Sequence, residues 1–366
     1  MMHTLYGQER SVEPQSESQK PPPGKVESIS TKSESSSAYK SKSVSWEEQV
    51  NLNLQNADAW KNYYLAVRYQ DYSKNNKTPK TATQVKLDSI LTEMKGQVPN
   101  SYEYNYLYYI NSNYDVNAFS YLEKAYQMNP NNNEIYDEMV AHYEITSNQV
   151  QKKAFCQKIN ASGKYSANTM EYAYNTLQSV GQNGVIFTNG EIDTYPLMVQ
   201  QEVFGVRKDV VIINLDLIKT LTYRNTLKSK NINTTYSGSD TKLIEDFLNN
   251  NKSKEVYLSL TVKPFVISAL SGRLYLTGLA FRVSNSTVEN SSVMYNNWLN
   301  FKKSSLKLNN LKTNDKLLNN NYILMLSELF SLYKDVSERI ADEYKEAAKT
   351  IAISSGIWNR VETKFL

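Results

Sequence analysis

The sequence has few of the residues on which metal and thiol chemistry depend. It contains one cysteine, Cys156, and two histidines, His3 and His142. One cysteine forms neither an intrachain disulfide nor a cysteine-based zinc site, and two histidines are too few for a histidine-rich metal centre. We therefore predict no metal site, no cofactor and no catalytic residue, which favours a non-enzymatic protein and leaves an enzyme as the open alternative.

Long apolar runs and a strong charge bias are also missing. The densest apolar run, residues 210–213, is far shorter than the roughly 18–20 residues that a membrane-spanning helix needs. The chain has 41 basic and 37 acidic residues, which is not the basic excess typical of nucleic-acid binding. We predict a soluble chain with no transmembrane segment and no nucleic-acid partner.

Residues 1–45 differ in composition from the rest of the chain. They contain 12 serines from Ser11 to Ser45, three consecutive prolines and almost no large apolar residue. Such a segment buries too little surface to offset its ordering entropy, so we predict a disordered linker. Residues 1–8 resemble the tail of a Bacteroidetes secretory signal, which implies a periplasmic or outer-membrane-associated protein. An ordinary cytoplasmic N-terminus is the alternative.

Residues 46–180 carry aromatic and aliphatic side chains at helical spacing. One helix is indicated by Tyr102, Tyr106 and Tyr109. A second is indicated by Ala118, Leu122 and Ala125 before Pro130. The aromatic spacing returns 34 residues on, at Tyr136. The pattern resembles the tetratricopeptide (TPR-like) repeat over residues 99–160, which implies stacked helix pairs and a groove for a protein partner. The tyrosines at 102–108 also alternate as in a strand, which is the alternative.

Residues 181–285 change to short β-branched runs separated by glycine and asparagine. We predict strands at 184–188, 210–215, 255–260 and 273–283, and a helix over 192–204 with Asp193 or Thr194 as its N-cap. A strand, a helix and a second buried strand form a parallel βαβ unit. We therefore predict a small Rossmann-like α/β domain, although no Gly-x-Gly-x-x-Gly motif follows the first strand.

Four segments of this region share a longer pattern. They read FTNGEIDTYPL at 187–197, QEVFGVRKDV at 201–210, VYLSLTV at 256–262 and LYLTGLAFRV at 274–283. They resemble the soluble C-terminal part of Bacteroidetes protein O-mannosyltransferase-like membrane proteins, over residues 184–350. The membrane-embedded half, where that family would transfer a sugar, lies outside this sequence, so the resemblance does not imply that activity. Ile192 replaces an asparagine of the family motif.

The candidate site follows the first strand of the α/β region. Its candidate ligand-binding residues are Asn189, Glu191, Asp193, Thr194 and Arg207. Open α/β sheets bind ligands where a parallel strand ends and a helix begins. Two carboxylates there disfavour a phosphate and favour a sugar hydroxyl, an amine or a cation. The structural alternative is that Asp193 and Thr194 cap the helix, Glu191 faces solvent and Arg207 pairs with Asp209.

Residues 286–366 are predicted to form a loop and C-terminal helices that pack on the α/β domain. The apolar stripe of these helices includes Tyr322, Leu326 and Tyr344, and Asn314 or Asp315 is the predicted N-cap. The overall prediction is therefore an α/β plus all-α chain: a helical-repeat region, a small α/β domain and a C-terminal helical pair.

Three functions are compatible with this sequence. The favoured one is a non-enzymatic protein-interaction scaffold of the bacterial cell envelope, whose partners include a membrane-embedded complex. The alternative is a glycan-binding or glycan-processing accessory protein that uses the crevice at residues 189–194, with tyrosine rings to stack on sugars. The third is a hydrolase or transferase in which Glu191 and Asp193 form a carboxylate pair.

Overall fold

The computed structural model describes residues 23–28, 34–75, 81–236, 238–307 and 311–366. The candidate signal remnant at residues 1–8 and most of the predicted linker lie outside these residues. The N-terminal half is helical, with α1 (Ser36–Leu52), α2 (Ala57–Asn75), α3 (Thr81–Gln97), α4 (Tyr102–Asn111), α5 (Phe119–Met128), α6 (Tyr136–Ile145), α7 (Gln149–Ser162) and α8 (Ala167–Gln178). Within the described ranges, no helix is both long and apolar enough to cross a bilayer.

The ordered helical part begins inside the segment predicted as a disordered linker. Ser35 caps α1 with its side chain, and Tyr39 and Trp46 are buried on the face that packs against α2. Residues 23–28 are also held in place, since Val26 is buried and its backbone N–H donates to Asn62 Oδ1 at 2.7 Å. The linker prediction is therefore wrong for residues 36–45, because burial of two large aromatic rings outweighs a serine-rich composition.

The predicted repeat region forms helix pairs. α4 packs against α5 and α6 against α7, and α6 begins 34 residues after α4. The tyrosines at 102–108 are helical, so the strand alternative is wrong, and Ser101 caps this helix by accepting from Tyr104 N. His142 and Cys156 are both packing residues. His142 stacks on Phe119 with ring centroids 3.6 Å apart, and Cys156 is buried.

In the described residues, five strands form one mixed sheet in the order β2-β1-β3-β5-β4. The elements of this part are β1 (Val185–Thr188), α9 (Tyr195–Glu202), β2 (Val211–Asn214), α10 (Leu221–Ser229), α11 (Asp240–Asn250), β3 (Val256–Ser259), α12 (Pro264–Ala269), β4 (Leu274–Leu276) and β5 (Ala280–Val283). β1 pairs in parallel with β2 and β3, whereas β5 is antiparallel to β3 and β4.

The predicted fourth strand is in fact a hairpin. The chain reverses at Gly278, whose φ of 136° is open to glycine and strained for other residues. The hairpin places β5 beside β3 and leaves β4 at the edge. Because only three of the five strands are parallel, the Rossmann-like prediction is not confirmed.

The C-terminal helices cover the hairpin and α8. They are α13 (Ser291–Asn300), α14 (Thr313–Asn319), α15 (Asn321–Tyr333), α16 (Glu338–Ser354) and α17 (Trp358–Val361). Their buried side chains share one core with Tyr172 of α8 and Leu276 of β4. Asp315 was a predicted N-cap, but it lies inside α14 and does not cap it. Its Oδ1 instead accepts from Ser166 Oγ at 2.6 Å, which ties α14 to the start of α8.

Candidate functional site

The carboxyl ends of β1, β2 and β3 face a cavity of about 650 Å³, which we call the carboxyl-edge cavity. This volume lies within the roughly 300–1,000 Å³ typical of small-molecule sites. Its sheet wall comprises Asn189, Gly190, Glu191, Ile192, Asp193, Tyr195, Asn214, Asp216, Thr261 and Lys263. Its helical wall comprises Arg68, Tyr69, Tyr72, Tyr106, Ile110, Tyr114 and Glu138. A third wall comprises Asn314, Leu317, Leu318 and Asn321.

The strand order explains why a crevice opens at this edge. From β1 the chain crosses to β2 on one side, and from β2 it returns past β1 to β3 on the other side. The loop after β1 leads toward β2, whereas the loop after β3 leads away from β1 toward β4, so these two loops diverge between β1 and β3, and ligands of open sheets bind at such a switch point. The loop after β1 is the segment predicted as the candidate site.

Asp193 is fixed at this switch point by hydrogen bonds from both neighbouring loops. Its Oδ2 accepts from the backbone N–H of Asn189 at 2.7 Å and from Thr261 Oγ1 at 2.6 Å. The side chain is 2% exposed. Burial raises the pKa of Asp193 to about 6, against the opposing effect of the bonds from Thr261 and Asn189. Asp193 therefore titrates near neutrality and does not act as the helix cap that the sequence offered as an alternative.

Thr194 lies behind the cavity and holds two strand ends together. Its Oγ1 is 2.8 Å from Thr188 Oγ1 and accepts from Asn214 Nδ2 at 2.8 Å. The Oδ1 atom of Asn214 in turn accepts from the backbone N–H groups of Asp216 and Leu217. Thr194 is fully buried and does not line the cavity, so its contacts position the loop. Its side chain makes no capping bond to α9.

Three buried acceptor atoms of the cavity lining have no hydrogen-bond partner among the described residues. They are Asn189 Oδ1, Asp193 Oδ1 and Glu138 Oε2. Buried polar atoms are nearly always hydrogen-bonded in folded proteins, and an unsatisfied one costs about 1–3 kcal/mol. The cavity therefore offers acceptors from two facing walls to a molecule that brings donors.

Glu138 brings a second carboxyl group to the cavity, from α6. Burial, together with the negative charges of Glu191 and Asp137, raises its pKa from 4.5 to about 8. Glu138 is therefore largely protonated at neutral pH. Glu191 lines the opposite wall, where its Oε2 accepts from Ser28 Oγ at 3.1 Å, so the ordered segment 23–28 reaches the rim of the site.

Arg207 is not part of the cavity. Its guanidinium donates to the backbone carbonyl oxygens of Leu177, Val180 and Gly181 at 2.7–3.0 Å. It also forms a two-bond pair with Asp209 at 2.8 and 2.9 Å. The structure therefore does not bring Arg207 to the other four predicted residues, and its contacts are those of the structural alternative.

The helical wall is the part of the site that the sequence analysis missed. Its tyrosines come from α2, α4 and the loop after α4. One local signal exists in the backbone. Tyr114 has a left-handed φ of 65°, which costs a bulky residue about 1–2 kcal/mol and occurs at binding sites that hold it in place. In the described part of the chain, no group of three His, Cys, Asp or Glu side chains is placed to hold a metal ion.

Comparison with known proteins finds a family match for two of the three walls of the cavity. The family model of TMEM260-associated domain 2 matches residues 169–323, which contain the sheet wall and the third wall but not the helical wall. Among solved structures, the crystal structure of yeast Tom70 is 12% identical with a TM-score of 0.32, over 90% of this chain and 61% of that chain. A similarity this low assigns no fold. No curated protein matches the chain.

Proposed function

We propose that this chain is a carbohydrate-binding protein and that the carboxyl-edge cavity is its binding site. The observation that carries the proposal is the set of three buried oxygens that have no hydrogen-bond partner among the described residues, Asn189 Oδ1, Asp193 Oδ1 and Glu138 Oε2. A saccharide presents several O–H donors on a compact ring, so it can satisfy acceptors on two facing walls at once. A phosphate or another ligand without donors cannot do so.

The tyrosines of the helical wall support the same ligand class. Tyr69, Tyr72, Tyr106 and Tyr114 line the side opposite the sheet. An aromatic ring packs on the apolar C–H face of a sugar, and its phenol hydroxyl exchanges hydrogen bonds at the edge of that ring. The cavity thus combines apolar faces on one wall with carboxyl and amide acceptors on the other, which a saccharide needs and a purely apolar ligand does not.

Binding to immobilised saccharides, followed by isothermal titration with the best binder, tests the proposal. Asp193→Asn and Glu138→Met each remove an unpartnered oxygen with little change in side-chain size, and we expect each to weaken binding about tenfold or more. Asp342→Asn, an exposed position on α16, is the matched control and should bind like the unmodified protein. The proposal fails if no saccharide binds, or if the two cavity variants bind as well as the control.

A second candidate function, protein binding by the helix pairs, rests on a separate groove. A cavity of about 460 Å³ lies between α3 and the α4–α5 pair. Tyr108 in this groove is 37% exposed and stacks on Tyr121 with ring centroids 3.9 Å apart. Exposed tyrosine is typical of the residues that anchor protein interfaces. We propose a scaffold role for this surface, with a partner in a membrane-embedded complex of the bacterial envelope and a periplasmic or outer-membrane-associated location.

Affinity capture from native membranes tests the scaffold proposal. A partner captured by the unmodified chain should be lost with the double variant Tyr108→Ala, Tyr121→Ala. It should be retained with Val336→Ala, which removes an exposed apolar side chain far along the chain on another surface. Equal capture by both variants would show that this groove is not the interface.

A further inference from the structure

Arg68 holds a distinctive position on the helical wall. α2 carries Tyr64, Arg68 and Tyr72 at four-residue intervals, so the three side chains share one helical face. Arg68 lines the carboxyl-edge cavity and also a neighbouring cavity of about 440 Å³. Tyr72, Tyr114 and Asp216 are the other residues common to both cavities, so the guanidinium lies where the two spaces meet.

Arg68 forms no salt bridge with any described carboxylate, unlike four of the seven arginines in the described part of the chain. The arginines that do form one are Arg207, Arg273, Arg282 and Arg339. The hydrogen bonds of Arg68 are long ones to phenol oxygens, at 3.5 Å to Tyr64 and 3.4 Å to Tyr72, and its guanidinium lies 5.4 Å from the centre of the Tyr72 ring. A guanidinium has five N–H donors in a planar fork. Most of the donor capacity of Arg68 therefore remains for a ligand.

The charge of Arg68 lowers the pKa of Glu138 and of Asp216, but neither carboxyl group forms an ion pair with it. Asp216 is bound by Lys219 at 2.7 Å. Glu138 is largely protonated at neutral pH because burial and the charges of Glu191 and Asp137 raise its pKa to about 8. The other cation of the lining, Lys263, already pairs with Asp240 at 3.4 Å. Arg68 is thus the cavity cation that carries no carboxylate of its own among the described residues.

The two walls therefore present opposite demands. The sheet wall has acceptors that need O–H donors, whereas Arg68 has N–H donors that fit a planar anion with two oxygens. A neutral sugar satisfies the first demand and leaves the second open. A sugar acid satisfies both, because its hydroxyl groups and its carboxylate lie on different sides of one ring.

We propose that Arg68 recognises an acidic group and that the cavity takes an acidic saccharide of the uronic acid class in preference to a neutral one. This inference rests on the proposed carbohydrate function. It adds Arg68 to the binding residues and a negative charge to the ligand, neither of which follows from the acceptors alone.

Matched sugar pairs test the inference. Glucose and glucuronate, and galactose and galacturonate, differ only in the group at C6, so each pair isolates the carboxylate. We expect each uronate to bind about tenfold or more tightly than its hexose, as a charge-assisted pair of hydrogen bonds provides. Arg68→Gln should weaken uronate binding about tenfold more than hexose binding and thereby abolish the difference. Arg68→Lys should keep part of it, since a lysine retains the charge without the fork.

Arg360→Gln, which removes one exposed positive charge near the C-terminus, is the control for net charge and should preserve the preference. Thermal unfolding of each variant checks that the chain is folded. The inference is overturned if hexose and uronate bind equally to the unmodified protein, or if Arg68→Gln weakens both by the same factor.

Failure of the proposed function gives a different result. If no hexose or uronate binds, titration with acetate, followed by amide chemical shifts, decides whether Arg68 is an anion site at all. Acetate-induced shifts that are lost in Arg68→Gln would support an anion site at Arg68 and contradict a saccharide ligand. The absence of such shifts would contradict both proposals.

Discussion

Thr261 Oγ1 donates a hydrogen bond of 2.6 Å to Asp193 Oδ2 and thereby joins the loops that follow β3 and β1. Asp193 Oδ2 also accepts from the backbone N–H of Asn189, whereas Asp193 Oδ1 has no partner among the described residues. One oxygen of the carboxylate therefore fixes the side chain, and the other is available to a ligand.

Removal of the Thr261 hydroxyl should weaken binding without loss of the fold. Thr261→Val keeps the side-chain shape but takes one donor from Asp193, so we expect the pKa of Asp193 to rise above its present value of about 6. The expected loss of saccharide affinity is about tenfold, measured by isothermal titration. Thr350→Val is the control, because Thr350 is exposed on α16 and its hydroxyl donates only to the backbone carbonyl of Glu346 in the same helix. Unchanged affinity in both variants would contradict the role of Thr261.

Glu138 should make the protein less stable as the pH rises. Its pKa is raised from 4.5 to about 8, chiefly by burial, so the folded chain holds a proton that the unfolded chain releases in this window. The free energy of unfolding therefore falls as the pH rises from about 4.5 through 8. Glu138→Gln removes this effect. Between pH 5 and pH 9, the free energy of unfolding of the variant should therefore fall by about 1–3 kcal/mol less than that of the unmodified protein.

Urea unfolding at pH 5, 7 and 9 measures this difference. Glu362→Gln, an exposed position, should follow the unmodified protein at every pH. Parallel pH profiles for the unmodified protein and Glu138→Gln would contradict the assignment.

Arg207 should matter for stability and not for ligand affinity. Arg207→Ala takes one donor from each of three backbone carbonyl oxygens and the ion-pair partner from Asp209. Leu177 and Gly181 keep a second backbone donor, whereas Val180 does not among the described residues. We expect a loss of about 2–4 kcal/mol in the free energy of unfolding, because unsatisfied partly buried acceptors cost more than the bond itself contributes. The folded fraction of the variant should bind saccharide with normal affinity by titration. Weak binding by a fully folded variant would contradict this prediction and show that Arg207 contributes to ligand binding.

The hairpin turn should require glycine for steric reasons. A Cβ at Gly278 would lie 2.5 Å from Ser179 Oγ and 2.9 Å from Phe301 Cζ, so Gly278→Ala should destabilise the chain by more than about 2 kcal/mol. Gly205 also has a positive φ, of 70°, but a Cβ there meets nothing within 4 Å. Gly205→Ala should therefore cost about 1–2 kcal/mol from backbone strain alone. Chemical unfolding of the two variants measures the difference, and equal costs would contradict it.

Local pattern was sufficient to predict the repeat helices and the buried parallel strands. The 34-residue return of tyrosine marks the start of α6, and the β-branched runs mark β1, β2 and β3. The sequence predicts one strand for the hairpin because Thr277 and Gly278 interrupt an otherwise alternating segment only briefly. Helix α1 was missed because its burial depends on contacts with α2, which a serine-rich composition does not reveal.

The site could be predicted only in part, for a reason that lies in the topology. Asn189, Glu191 and Asp193 follow one strand, so their position at a sheet edge was readable from the sequence. Arg68 and Tyr114 lie far away along the chain and meet this loop only through packing of the helices on the sheet. The partner of Arg207 was readable as well, since Asp209 is two residues away, but its backbone acceptors on α8 and the loop after it were not.

The division of the cavity between a matched domain and an unmatched helical layer has an evolutionary consequence. The acceptors on the loop after β1 belong to residues 169–323, which the family model describes, whereas Arg68 and the tyrosines belong to the part outside it. Substitutions in the helical layer can therefore alter which molecule is preferred while the strand-end loops keep their geometry. Exchange of the helices that close this edge would therefore change the ligand preference and leave the acceptors of the loop after β1 in place.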